Sequence, residues 1–175
     1  MNRLYTLLFL FISFLSQAQD GVFLTAEDFI ENKVYRPEHS KIHERFATVS
    51  IKDDGLKTIY SADNAYGYKL KGRQWRFTEN RTYEVVSTEG LWVYRVQNAT
   101  DLSSFSYYFS DGAYGEVKPL TRRNIRNCFS SNSRLLAVIE KLDWRMDLFQ
   151  PTNFRHLPLI SALFVQVFSK NGYPL

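Results

Sequence analysis

The chain holds one cysteine, Cys128, in 175 residues. A lone thiol closes no internal disulfide, so the fold rests on burial. Cys128 lies between Asn127 and Phe129 in a helical pattern and reads as a small buried hydrophobe. Histidine is also scarce, at three residues: His39, His43 and His156. There is no HExxH helix, no G-x-S-x-G elbow and no glycine-rich phosphate loop. Those absences remove the zincin, α/β-hydrolase and P-loop readings, and no pattern for a cofactor is present. Neither sign of charge dominates, with 22 Lys and Arg against 18 Asp and Glu. Nucleic-acid binding wants a clustered basic surface, so this balance argues against it. The densest basic run, Arg122-Arg123-Asn124-Ile125-Arg126, reads as a solvated helix face. No apolar run reaches the roughly 20 residues a membrane-spanning helix needs.

What is present begins at the N-terminus. Asn2-Arg3 gives a short positive start, residues 7–15 are almost wholly apolar, and Ser16-Gln17-Ala18 puts small residues where a signal peptidase cuts. The pattern predicts a secretory signal peptide over residues 1–18. The mature chain then starts near Gln19 or Asp20 and works in the periplasm, in the cell envelope or outside the cell. Arg3 leaves with the leader, which trims the basic excess further. No cysteine stands at the cleavage site, so a lipid-anchored form is disfavoured.

The remainder, residues 19–175, reads as a single α+β domain. Aromatic residues make up 16% of the chain, and many fall in short alternating runs, which favours strands. Thr25 caps a short helix ending near Asn32, with Glu27 and Asp28 in its first turn and Leu24 and Phe29 spaced as a staple. Strand-like runs follow from about Phe46 to Lys118. They are punctuated by Asp53-Asp54-Gly55, Asp63-Asn64, Lys71-Gly72, Glu79-Asn80, Thr88-Glu89-Gly90 and Asp111-Gly112. This spacing predicts an antiparallel β meander or a half-closed small barrel. Its apolar face would carry Tyr66, Tyr68, Trp75, Phe77, Tyr83, Val85, Trp92, Tyr94, Val96, Phe105, Tyr107 and Phe109. After Pro119 the period changes. Thr121 caps a helix to about Phe129, and a second helix starts at Ser131-Asn132-Ser133 with a stripe of Leu135, Val138, Ile139 and Leu142. Leu157 to Phe168 is nearly all apolar and reads as a buried helix, a buried strand or a surface that meets a partner.

Candidate sites are few. His39 and His43 are four apart, the spacing that sets two imidazoles on one face of a helix, and are the candidate metal ligands. The alternative is a polar surface turn. Aromatic faces complement the C–H faces of sugar rings. Among the aromatics, Trp75 and Trp92 alternate in phase with the core, whereas Tyr108 is out of phase, so Tyr108 and Tyr114 are the candidates for stacking. Arg122 and Arg123 stand in the first turn of a predicted helix, where cations oppose the dipole, and an anion docked there would relieve the conflict. Simple solvation explains them equally.

Several runs resemble a family of small secreted proteins of Bacteroidota. They are the leader ending Gln-Ala-Gln, the GVFLTAEDF run from Gly21 to Phe29, Tyr66-Gly67-Tyr68, Trp75-Arg76-Phe77, Tyr83-Glu84-Val85 and Tyr107-Tyr108-Phe109-Ser110. The likeness covers about Gly21 to Leu142 and implies an exported helix, β meander and terminal helix. It brings no catalytic residues. The expected function is therefore a non-enzymatic extracytoplasmic binding or envelope-associated module. Its partner would be a cell-envelope protein or a glycan. The alternative is a carbohydrate-active or other hydrolytic enzyme that carries no recognised motif.

Overall fold

A computed structural model of the chain describes residues 20–36, 41–45, 47–53, 55–78, 81–101, 103–141, 160–162 and 164. The leader, His39 and Leu142 lie outside the described residues. The chain divides into two compact units, Met1–Glu84 and Val85–Leu175. Helices and antiparallel strands occur together, and the strand-rich α+β class holds; the sheets do not close into a barrel.

The first unit contains β1 (Gly21–Phe23), α1 (Ala26–Ile30), β2 (Lys41–Arg45), β3 (Thr48–Asp53), β4 (Leu56–Tyr60), β5 (Gly67–Leu70) and β6 (Arg73–Thr78); β7 (Arg81–Ser87) crosses its boundary. Thr25 caps α1 as the sequence predicts, in a reciprocal box. The Asp28 amide donates to Thr25 Oγ1 and the Thr25 amide donates to Asp28 Oδ2, both at 3.1 Å. Leu24 is exposed, however, while Phe29 is buried against Phe23 and Tyr66. Asn32 ends the helix in the left-handed region (φ 54°), where asparagine is the best tolerated residue after glycine. Its side-chain oxygen then accepts from buried Lys69 at 3.1 Å and from Gln74 at 3.2 Å.

Two antiparallel arrays build this unit. In one, β1 pairs with β5, β5 with β6 and β6 with β7. In the other, β2, β3 and β4 form a separate three-stranded sheet. Val49 and Ile51 of β3 share one core with Val22, Tyr68 and Phe77, flanked by Ile42, Tyr60, Leu70 and Trp75. The strands from Lys41 to Tyr60 therefore fold over the first array instead of extending it. β2 to β4 and β5 to β7 each run as consecutive antiparallel pairs, as the expected meander requires, but they belong to separate sheets and neither sheet closes into a barrel. Gly67 is buried where β5 pairs with β6, and a Cβ there would overlap the carbonyl oxygen of Trp75.

The β5–β6 connection is two residues, Lys71 and Gly72, with φ of 53° and 76°. Positive φ at both central positions is the type I′ pattern, which matches the right-handed twist of paired strands and favours Asn-Gly. Lysine is strained there. Lys71→Asn is expected to stabilise the protein by about 0.5–1 kcal/mol, read as a higher urea midpoint at unchanged slope. The hydrogen bond that the Lys71 backbone amide donates to Asp20 Oδ1, 2.6 Å, does not involve the Lys71 side chain and survives the change.

The second unit contains β8 (Trp92–Gln97), β9 (Phe105–Ser110), β10 (Lys118–Pro119), α2 (Arg122–Cys128) and α3 (Ser133–Ile139). Thr121 Oγ1 caps α2 by accepting from the Asn124 amide, and Asn132 Oδ1 caps α3 by accepting from the Leu135 amide. Leu91, Val93, Phe109, Ile125, Leu135, Ile139, Ile160 and Phe164 form the core, so Leu135 and Ile139 of the predicted helix stripe pack with the strand residues. Ile160, Ser161, Ala162 and Phe164 are helical and buried, which decides the reading of the apolar tail at those positions.

The expected single apolar face needs correction here. In β8–β9, Val93 pairs with Phe109 and Tyr94 with Tyr108. Directly paired residues share a face. Trp92, Tyr94 and Val96 therefore lie on the side opposite Phe105, Tyr107 and Phe109, not on the same one. Val93 and Tyr94 are both fully buried, so this part of the sheet is covered on both faces. Tyr94 meets its polar need through Ser110 Oγ at 2.8 Å, and Ser110 Oγ donates to the Gly112 carbonyl at 2.6 Å.

Candidate functional site

The sheet of β2, β3 and β4 separates two kinds of residue. Successive side chains of a strand point to opposite faces. In β3, Val49 and Ile51 face the core, which sends Thr48, Ser50 and Lys52 outward. Register extends that outward face sideways. Ser50 pairs with His43 on one side and Ile59 on the other, and Lys52 pairs with Lys57. His43, Lys52 and Lys57 are exposed, and Ile59 is 52% exposed, an unusual setting for a β-branched apolar side chain in a regular strand. Together with Glu44, Ala47 and Thr48 they line an open groove of about 750 Å³. That volume lies within the range of about 300–1,000 Å³ usual for small-molecule sites.

Below the groove the sheet is tied to β5. Glu44, adjacent to His43 on the inward side of β2, accepts a hydrogen bond from Tyr68 Oη of β5. Tyr68 is fully buried, its ring stacked on Trp75 at 4.8 Å and 5° and tilted against Phe77 at 5.4 Å. Burial, and next the Glu44 carboxylate, push the Tyr68 hydroxyl well above the usual phenol range, so it stays protonated and acts as donor. The free edge of β4 is covered in part by the turn that follows. Asn64 Nδ2 donates to the Ile59 carbonyl at 3.0 Å, and Asn64 Oδ1 accepts from the Ser61 amide at 2.9 Å.

The groove contains one of the residues singled out by sequence, His43. It sits in a strand, not in the helical turn on which the paired-imidazole reading depends, and His39 lies outside the described residues. No group of three or more His, Cys, Asp or Glu placed to hold a metal occurs among the described residues. The other candidates belong to the second unit. Tyr108 is half-buried in β9, paired with Tyr94 and Pro119. Tyr114 is 70% exposed in the 111–115 loop. Arg122 is half-buried and Arg123 exposed at the start of α2, which has only seven residues and no acidic residue in its first turn. Trp75 spends one ring face on Tyr68, in line with its reading as core.

Sequence reading missed Ser50, Lys52, Lys57 and Ile59. The alternation of Thr48-Val49-Ser50-Ile51-Lys52 was a usable signal for the outward face. Nothing local announced that Lys57 and Ile59 would stand beside it.

Cys128 is half-buried against the second unit's core. Burial, and next the negative charge of Asp111, raise its thiol above the ordinary value. The thiolate is the nucleophile, so alkylation by iodoacetamide at neutral pH is expected to be clearly slower than for free cysteine and to recover in denaturant. Equal rates in the native and denatured protein would contradict this.

Comparison with known protein families, with curated proteins and with solved structures finds no match to this chain.

Proposed function

We propose that the protein is a non-enzymatic binding module exported from the cytoplasm, working in or beyond the cell envelope, with the outward groove of β2–β3–β4 as its ligand seat. The observation that supports this reading best is the groove itself, a mostly apolar surface around exposed Ile59 that is edged by hydroxyl, amine and imidazole groups. A rigid strand scaffold suits recognition because its side chains are held before the ligand arrives. The histidine and the carboxylate among the groove's described residues also favour binding over turnover. His43 is on the outer side of β2, whereas Glu44 is on the inner side and engaged by Tyr68. They do not converge on one reacting atom, as a general acid–base pair must. The leader pattern supports the compartment.

Two measurements test the reading. Intact mass of the protein recovered from the extracytoplasmic fraction is expected to lack residues 1–18; a full-length cytosolic product would refute export. Amide shift mapping against a mixed library of saccharides and small metabolites is expected to give saturable changes at Thr48, Ser50, Lys52, Lys57 and Ile59. Ligands that move only other amides, or a defined catalytic turnover, would refute the seat.

A further inference from the structure

Lys52 and Lys57 face each other directly across β3 and β4. Like charges in that relation destabilise a sheet. Both side chains are exposed, and neither has an ion pair among the described residues. One strand step along, the same outward face changes character to His43, Ser50 and Ile59, and beyond that to Thr48. The groove thus has a lysine pair at one end, next to the Asp53-Asp54-Gly55 turn, and beyond it a mostly apolar lining edged by hydrogen-bonding groups.

Resting on the groove reading above, we propose that this face binds a short acidic oligosaccharide, with a sugar carboxylate between Lys52 and Lys57. The carboxylate neutralises the repelling pair and accepts charge-assisted hydrogen bonds from both amines. Ser50 supplies a hydroxyl that both donates and accepts, as sugar hydroxyls require. Ile59 offers an apolar surface to the C–H face of a ring. From Thr48 to Lys52 the strand extends about 14 Å, roughly the reach of a trisaccharide. An acidic peptide or an anionic lipid surface fits less well. The edge of β4 is partly closed by Asn64 to an added peptide strand, and the apolar lining is edged by the two lysines and by hydroxyl groups.

The test is titration of the isotope-labelled protein with trigalacturonate and with its fully methyl-esterified counterpart, which keeps the hydroxyls and loses the charge. Trigalacturonate is expected to shift the amides of Ser50, Lys52, Lys57 and Ile59 saturably, and the ester to bind about tenfold more weakly or worse. Added salt is expected to weaken the acid and leave the ester unchanged. Lys57→Glu is expected to lose the acid while its melting temperature does not fall, because an opposed pair replaces a repelling one. Lys57→Gln, which removes charge without reversing it, is expected to weaken the acid to an intermediate degree. Equal affinity for acid and ester overturns the acidic ligand and leaves the groove standing as a neutral-sugar seat. Shifts that map elsewhere, or acid binding unaffected by either Lys57 variant, overturn the proposal. No saturable response to trigalacturonate also overturns it; the groove reading itself falls only if the broader library leaves these amides unmoved as well.

Discussion

Tyr68→Ala is expected to cost about 3–5 kcal/mol, the range for removing a large ring from a packed core. Three features place it at the upper end. Tyr68 is fully buried. Its ring is stacked face to face on Trp75 and touches Phe77, so the cavity opens between aromatic rings that are fixed by strand register and cannot close it. Its hydroxyl holds Glu44, which ties β2 to β5. Tyr68→Phe separates these contributions. It keeps the stack and removes the hydroxyl's hydrogen bonds, to Glu44 and with Thr82, so about 1–2 kcal/mol is expected. Urea unfolding followed by tryptophan fluorescence reads both, since Trp75 reports directly on the stack. A loss for Tyr68→Ala no larger than that for Tyr68→Phe would mean that the ring contributes little, and the account of the first unit's core would be wrong. The groove gives a second readout. If Glu44 and Tyr68 anchor the sheet beneath it, Tyr68→Phe broadens or shifts the amides of β2.

Phe109→Ala is the second large effect, also expected at about 3–5 kcal/mol. Phe109 is fully buried, opposite Val93 and packed toward the helices. It begins a chain of rings, with Phe129 at 6.4 Å and Phe164 a further 5.0 Å on in an edge-to-face contact. Strand β9, the end of α2 and the helical residues around Ile160 meet through those rings. For a chain of this size, a loss of that magnitude lowers the melting temperature by roughly 6–20 °C. Its neighbour provides the control. Tyr108 is half-buried on the other face of the same strand, so Tyr108→Ala should cost clearly less. Equal losses at the two positions would place the core on the wrong face of β9.

Much of the local structure was written in short sequence patterns, because the forces behind them act over a few residues. Thr25, Thr121 and Asn132 cap helices from side chains that reach amides two or three positions on. Lys71-Gly72 makes a two-residue turn because the backbone there must take positive φ. Leu135, Val138 and Ile139 make an apolar stripe through helical periodicity alone. The alternating runs in β3, β6, β7, β8 and β9 follow from the period of two in a strand.

The tertiary structure decided the rest. Gly21–Phe23 is too short for any period and is a strand only because β5 accepts it, with Val22 also bonded to Tyr35 at 2.7 and 2.9 Å. Lys41–Arg45 is nearly all polar, and its strand identity comes from β3. Whether Tyr94 shares a face with Phe109 or opposes it depends on a one-residue choice of register, which reverses every side chain and leaves no mark within either strand. The groove has the same origin. Lys52 and Lys57 are ordinary lysines in the sequence, and only the pairing of β3 with β4 makes them neighbours and gives the surface its charge.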